Sequence, residues 1–450
     1  MSPQELKATL SLSLVFAFRM FGLFMVLPVM VLYADDLQGA TPALTGLAIG
    51  AYGFSQALLQ IPFGWLSDRI GRKPVILLGL LIFLLGSLVS AQAETIQEVI
   101  FGRVLQGCGA IAGAVTALLA DLTRDQHRTK AMAIFGMSIG LSFCVAMIIG
   151  PLFASWWGLS GIFTSNAVMV VIAMFIVLLL VPSPVISRRD LNTSVSQSEF
   201  GAIFRNRELL RLMAGIFILH FIVMGLFVFF PRLLQDTVGL ARESHGWVYM
   251  ISLVTSFAFM IPFIILSEKY RLMKQCFSGA VALLLVSMMV MLGGESSTLS
   301  LMLGIFLFFV AFNFLEASLP SLVSKLSPAG TRGSAMGLYS SCQFLGAGLG
   351  GALGGLALDS WGVSGVIVIC VIPTALWCLL SVTMKQPPYV SSMVMALDPS
   401  VSLDAHSMGR ELAVIPGVEE VTVLDSERTA YLKVDRRSLD LSALRQYGEC

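Results

Sequence analysis

Twelve stretches of about twenty almost unbroken apolar residues constrain this chain more than any other feature. They fall at 9–33, 44–66, 75–93, 97–120, 131–153, 161–182, 209–231, 246–266, 276–293, 298–320, 333–357 and 362–384. Wound as an α-helix, a run of that length matches the roughly 30 Å hydrocarbon thickness of a bilayer. In lipid no water pairs with backbone N–H and C=O groups. Each run must therefore satisfy its own backbone, as a helix does and an open strand does not. The chain is 56% hydrophobic and only 12% charged, against about 25% charged in soluble domains. The first run holds Arg19 and lacks a small-residue cleavage pattern, so it reads as a span and not as a removable leader. A net charge of +1 offers no footprint for nucleic acid, and no such partner is expected.

A polar stretch, 183–208, splits the runs six and six. The expected organisation is a first half at 1–182, a linker at 183–208 carrying a short surface helix near 199–207, a second half at 209–385 and a tail domain at 386–450. Charge gives the orientation. The turns after even-numbered spans carry Arg69, Arg72, Lys73, Arg124, Arg128, Lys130, Arg188, Arg189, Arg205, Arg207, Lys269, Arg271, Lys274, Lys325 and Arg332. The opposite turns carry little more than Arg232 and Arg242. Basic loops stay in the cytoplasm. An even number of spans then puts both termini there.

The two halves echo one another. Ile61-Pro62-Phe63 and Leu66-Ser67-Asp68-Arg69 return 200 residues later as Ile261-Pro262-Phe263 and Leu266-Ser267-Glu268-Lys269. Arg128, Ala131 and Met132 return 204 residues later as Arg332, Ala335 and Met336. This predicts two six-helix halves in parallel repeat. Beyond Met384 the composition becomes that of a soluble domain. Ser392–Leu397 reads as a strand, Asp404–Ile415 as a helix, and Val418 to Val434 as a hairpin around the turn Asp425–Arg428. Leu439–Tyr447 reads as a second helix. That order predicts a small α+β sandwich of ferredoxin-like type with a missing or very short last strand. Six of the seven cysteines lie in apolar segments and none forms a C-x-x-C pair, so neither a disulfide framework nor a metal site is expected.

The stretch Gly64-Trp65-Leu66-Ser67-Asp68-Arg69-Ile70-Gly71-Arg72-Lys73 resembles the loop 2–3 signature of the major facilitator superfamily, G-x-L-[AS]-D-R-x-G-R-[KR]. Arg103-Val104-Leu105-Gln106-Gly107 is similar to the R-x-x-Q-G motif of its drug:proton antiporter branch. Gly150-Pro151 is similar to the antiporter Gly-Pro motif, although the usual trailing glycines are replaced by Leu152-Phe153-Ala154. Gly22 to Pro28 resembles a further pattern of that branch. The resemblance covers about residues 10–385. The tail resembles metallochaperone-like ferredoxin folds without their paired cysteine ligands.

The resemblance implies an all-α membrane protein of twelve transmembrane helices with a central cavity and alternating access, plus the small tail domain. Gly64, Asp68, Arg69, Gly71, Arg72, Lys73 and Asp121 are implied as a conformational latch. In it Asp68 faces the start of span 11 near 332–334, and Arg72 pairs with Asp121. The bland alternative is a solvated hairpin that only sets topology. Arg19 and Arg103 lie inside apolar runs, where a charge needs a polar cavity or a partner. With Gln56, Gln60, Gln106, Asn313 and Gln343 they are candidates for a polar path, the alternative being buried pairs that tie helices together. Glu316 and His220 are the candidates for proton coupling, because each changes charge on titration. Asp35 and Asp36 lie at the outer mouth. No cofactor, metal cluster or catalytic constellation is expected, and the chain is not read as an enzyme.

The expectation is a monomeric transporter of the bacterial inner membrane. It exchanges a drug-like or lipophilic small molecule for protons, with weak self-association through the tail. Uptake or uniport of a small metabolite, or sensing through the tail, are the competing readings.

Overall fold

The computed structural model describes residues 1–182, 201, 203–293, 297–327, 332–387, 389, 391–397, 405–424, 429–435 and 438–449. Most of the expected linker and the turn at 425–428 lie outside them; residues 203–205 are helical. Span 1 is Pro3–Val26, continued after a break by Met30–Tyr33. Span 2 is Pro42–Ile70, span 3 is Arg72–Ala91, and span 4 is Ile96–Cys108 with Ala112–Asp121. Span 7 is Arg207–Phe227 with Phe230–Asp236. Spans 8, 9 and 10 are His245–Glu268, Met273–Gly293 and Thr298–Leu326.

Spans 5 and 6 form one run, Asp125–Leu179, folded back at Gly158 (φ 61°, ψ −163°). Spans 11 and 12 share Arg332–Val382, folded back at Gly362 (φ 67°, ψ −163°). A left-handed φ is open to glycine at little cost, so each hairpin closes on a single residue. The two glycines stand 204 apart, within Trp157-Gly158-Leu159-Ser160-Gly161 and Trp361-Gly362-Val363-Ser364-Gly365. This third echo of the repeat is one that the apolar pattern alone does not reveal. The breaks in spans 1 and 7, after Val26 and Phe227, also correspond.

Helix starts follow ordinary capping chemistry. Ser2 and Thr95 each form a capping box, with Glu5 and Glu98 respectively, and Thr41 caps span 2 ahead of Pro42. The tail domain is a four-stranded antiparallel sheet in the order β2-β3-β1-β4. Its strands are β1 Ser391–Leu397, β2 Val418–Leu424, β3 Thr429–Val434 and β4 Gly448–Glu449. β1 is followed by the helix Ala405–Val414. Met395, Met408, Leu412, Ala430, Leu432, Val434 and Leu444 fill its core. The second helix spans only Leu441–Leu444, and Asp440 caps its start by accepting from the Ser442 and Ala443 N–H groups. Residues 445–447 turn, and Gly448–Glu449 form the short last strand.

The halves touch at one end. Span 2 meets span 11 through glycines: a Cβ on Gly50 would lie 2.3 Å from the Gly348 oxygen, and one on Gly46 2.4 Å from the Gly351 oxygen. A Cβ on Gly246 of span 8 would lie 2.5 Å from the Ile148 oxygen of span 5. At the end bearing Asp68 and Arg72, Gly64, Gly136, Gly140, Gly333 and Gly337 have nothing within 4 Å of such a Cβ. Close helix packing is therefore not made at Gly64, Gly136 or Gly140 among the described residues in this arrangement. The halves part toward this corner end and are shut at the far end. Span 11 uses a second glycine face, Gly346, Gly350 and Gly354, inside its own half against span 7.

Gly50→Val forces side-chain atoms into the Gly348 backbone. Overpacking costs about 1–3 kcal/mol, which moves a two-state equilibrium about tenfold or more. The expected outcome is a folded protein held open at the far end. The check is faster labelling, from that side, of a cysteine introduced at Phe344.

Candidate functional site

The corner is built around Arg72. Gly71 leaves span 2 at φ 101°, so the chain reverses and Arg72 points back across the end of its own half. Its guanidinium pairs with Asp68 and donates to the Ser67 hydroxyl at 2.7 Å. Its Nε lies 3.5 Å from Asp121 at the end of span 4. Lys73 donates to the Val181 carbonyl at 2.8 Å, tying the corner to the end of span 6. Arg69 stacks 3.8 Å above the Trp65 ring. Asp68 is thus engaged by Arg72 within its own half. A Cβ on Gly333, at the start of span 11, would meet nothing within 4 Å among the described residues, consistent with the separation of the halves at this end.

Deep in the first half, Arg19 and Arg103 are completely buried. The expectation that they line an open cavity does not hold in this arrangement. Arg19 donates to Gln56 Oε1 (2.5 Å) and the Gly109 carbonyl (2.9 Å), among the rings of Phe16, Tyr52 and Phe83 at 6.0, 5.7 and 5.7 Å. Gln56 donates onward to Gln60 at 2.9 Å. Arg103 donates to the Ala48 carbonyl (3.3 Å) and Gln106 Oε1 (2.9 Å), 5.1 Å from Tyr52. Gln106 donates to Ser87 at 2.9 Å.

Among the described residues neither arginine has a carboxylate partner. A central arginine costs about 2.5–3.5 kcal/mol on insertion scales. Two hydrogen bonds and facing rings, each ring worth about 0.5–2 kcal/mol, offset part of that cost; Arg19 Nε and Nη1 and Arg103 Nη2 are buried with no hydrogen-bond partner among the described residues. A Cβ on Gly150 of span 5 would lie 3.0 Å from the Met25 oxygen, near the break in span 1, and Pro151 follows inside the helix.

The second half holds a different cluster. Gln343 Nε2 of span 11 lies 2.8 Å from His220 Nε2 of span 7 and 3.3 Å from Glu316 Oε1 of span 10. His220 Nε2 is 3.9 Å from Glu316 Oε2. The amide nitrogen donates, so His220 Nε2 accepts, which fits a neutral imidazole. The Glu316 side chain as a whole is 37% exposed although it lies well inside span 10, while its Oε2 is buried and has no hydrogen-bond partner among the described residues. One turn away on the same face, Phe312 meets Phe143 of span 5 at 5.9 Å. Phe344, beside Gln343, meets Tyr52 at 6.2 Å. The cluster therefore faces the gap between the halves. Asn313 shares a face with Glu316 but is used structurally, donating to Ser256 of span 8 at 2.8 Å.

At the far end Arg232 donates to both oxygens of Asp35, at 2.6 and 2.8 Å, and so joins the halves. Sequence reasoning named both residues without pairing them. It missed Glu5, whose carboxylate accepts from the Arg124 side chain and N–H at 2.9 and 3.0 Å and ties span 1 to the loop before span 5. The Ser2-x-x-Glu5 capping pattern was the available signal. It also missed Asn166, which donates to the Gly22 carbonyl at 3.0 Å.

Two six-span halves in repeat, shut at one end over a polar cluster and parted at the other, define a secondary transporter. The chain belongs to the Major Facilitator Superfamily, whose family model matches residues 12–351 and 233–392. It is 42% identical over 437 residues to the inner membrane transport protein YajR of Escherichia coli (strain K12), covering 97% of this chain and 96% of that protein. Multidrug resistance protein 2 of Bacillus subtilis (strain 168) is 27% identical over 358 residues, covering 75% of this chain and 85% of that protein. The fold superposes with a TM-score of 0.68 on the crystal structure of a bacterial homolog to the human lysosomal transporter Spinster. That match has 15% identity and covers 86% of this chain and 98% of that one.

Arg103→Lys keeps the charge but cannot reproduce donation from both Nε and Nη1. Leaving the Ala48 carbonyl or Gln106 unpaired costs about 1–3 kcal/mol. The expected result is a lower midpoint of thermal unfolding in detergent than for the wild type, with Arg103→Ala lower still.

Proposed function

We propose that this protein couples proton movement to export of a drug-like or lipophilic small molecule across the bacterial inner membrane. In this reading the corner end and both termini face the cytoplasm, and the arrangement described is open inward. The observation that carries the reading is the Glu316–Gln343–His220 cluster on the gap. One amide N–H stands between two groups that can each take a proton. A proton arriving on His220 Nε2 removes the acceptor of Gln343 and sets an imidazolium against the Glu316 carboxylate. A proton on Glu316 removes that charge and leaves the amide with His220. The cluster can hold one exchangeable proton in either of two places, and the gap gives it access to one side at a time. The surrounding walls, Phe143, Phe312, Tyr52 and Phe344, suit an apolar cargo. The multidrug-resistance relative supports export of such compounds.

The corner takes its part as the gate. When the cytoplasmic end closes, Asp68 meets the N-terminus of span 11. A carboxylate there gains about 0.3–1 kcal/mol, up to ~2 when partly buried, which biases the equilibrium without locking it. Arg72 holds Asp68 ready meanwhile.

The test is flux of lipophilic dyes in proteoliposomes under an imposed pH gradient. Wild type is expected to accumulate or expel dye according to the gradient. Glu316→Gln is expected to retain downhill flux and lose the gradient dependence. Gradient dependence that survives in Glu316→Gln would remove the cluster from the coupling step. Asp68→Asn is expected to insert normally and to transport about tenfold more slowly, the share a ~1–2 kcal/mol bias controls. Wild-type rates in a well-folded Asp68→Asn protein would refute the gate.

A further inference from the structure

The second corner departs from the first in a specific way. At an offset of 200, Asp68 corresponds to Glu268, Gly71 to Arg271 and Arg72 to Leu272. At the 204 offset of the Arg128 echo, Asp121 corresponds to Lys325. In the first half Arg72 bridges two carboxylates, on span 2 and span 4. In the second half the partner's sign is inverted, and Lys325 of span 10 pairs directly with Glu268 of span 8 at 2.9 Å. No bridging arginine is needed there. The turn is also longer: span 2 passes through Gly71 directly into span 3 at Arg72, whereas span 8 ends at Glu268 and span 9 starts at Met273. Arg271 has φ 58° where Gly71 has φ 101°, and Arg271 is the one non-glycine residue with positive φ among the described residues. A β-carbon disfavours that conformation, so the side chain must be held by something else.

It is held by the tail domain. The Arg271 guanidinium donates to both Asp435 oxygens, at 2.8 and 2.7 Å, and lies 5.2 Å from the Tyr389 ring. The Arg271 carbonyl accepts from Gln386 Nε2 at 2.8 Å, and the Tyr389 hydroxyl accepts from the Met273 N–H, at the start of span 9, at 3.0 Å. Lys433 of β3 donates to the Ser327 carbonyl at 2.7 Å, where span 10 ends and its carbonyls favour a cation. Each of these partners belongs to the second half.

We propose that Arg271 has turned the second corner from a latch into a docking socket for the tail domain. The docked domain moves with the second half and, through Lys433 on Ser327, positions the chain that enters span 11. It thereby sets how readily the corner end closes. The coupling part rests on the gate reading given above; the docking part does not.

The experiment uses the full chain in nanodiscs without substrate or pH gradient. Trypsin cleavage after Lys385 reports docking, and labelling of a Gly333→Cys variant reports the entry to span 11. Arg271→Gly suits the left-handed turn, so its thermal midpoint should equal or exceed that of the wild type. Loss of docking in it is then not loss of fold. Arg271→Gly and Asp435→Asn are both expected to speed cleavage about tenfold by local release and to change Gly333→Cys labelling in the same direction. The charge swap Arg271→Asp with Asp435→Arg is expected to restore slow cleavage. Unchanged cleavage in Arg271→Gly overturns the socket. Fast cleavage with unchanged Gly333→Cys labelling overturns the coupling to span 11, whatever the dye-flux experiments show.

Discussion

Everything about the present arrangement depends on how closely the backbones of spans 2 and 11 approach at the far end. In lipid there is no hydrophobic drive between helices, so fit decides association. Glycines at positions 46, 50, 348, 351 and 355 let the two backbones meet with no side chains between them. Span 2 is a rod of 29 residues, roughly 40 Å at about 1.5 Å per residue. A contact confined to one end of such a rod acts as a fulcrum, and a small tilt there opens a wide gap at the other. The charged pair that joins the halves at this end, Asp35 with Arg232, is exposed, and exposed pairs are worth about 0–1 kcal/mol. The closure is thus the sum of many small terms and can be undone without stranding a buried charge.

The two halves divide their polar chemistry between permanence and exchange. In the first, Arg19 and Arg103 are answered by carbonyls, amides and rings, groups that neither gain nor lose protons at ordinary pH. In this arrangement that network ties spans 1, 2 and 4 together. In the second, a single amide nitrogen serves two acceptors, both able to take a proton. Such a cluster has more than one satisfied arrangement, and switching between them needs only a proton and an amide rotation. One half is therefore suited to act as a rigid wall and the other to respond.

What could be read in advance follows from which forces act locally. The twelve spans were legible because lipid imposes a length and an apolarity on each segment independently of the rest. The corner was legible because Gly64 to Lys73 packs most of a motif into ten consecutive residues. The Glu316, His220 and Gln343 grouping was within reach because a polar group inside a span must find a partner. Other features depend on three-dimensional neighbours. That Arg19 and Arg103 are enclosed is decided by how Tyr52 and Phe83 pack around them. That span 11 carries two glycine faces, one for its own half and one for the other, is invisible to a spacing rule that sees only a smooth stripe. Helix boundaries shifted where single residues made the turn, as at Gly158, which folds two spans back within one continuous run.

The repeat shows how one arrangement of spans has been kept while the turns and chemistry of its corners diverged. Each corner holds a positive-φ residue after an even-numbered span, and each ties that span to the span two further on. The first does so with a glycine and a bridging arginine, leaving Asp68 on one side and Asp121 on the other. The second reverses one charge, which makes the bridge redundant and frees the turn position for a side chain. The steric penalty of an arginine at φ 58° is tolerated because donation from Nη2 to both Asp435 oxygens, a facing ring and an accepted amide bond act on the same residue. The resulting asymmetry has a mechanical sense. Symmetric corners would close this end by equal contributions from both halves. On the gate reading proposed above, a corner committed to the tail domain leaves the gating charge on the first half, and the second offers a surface whose position a soluble domain can hold.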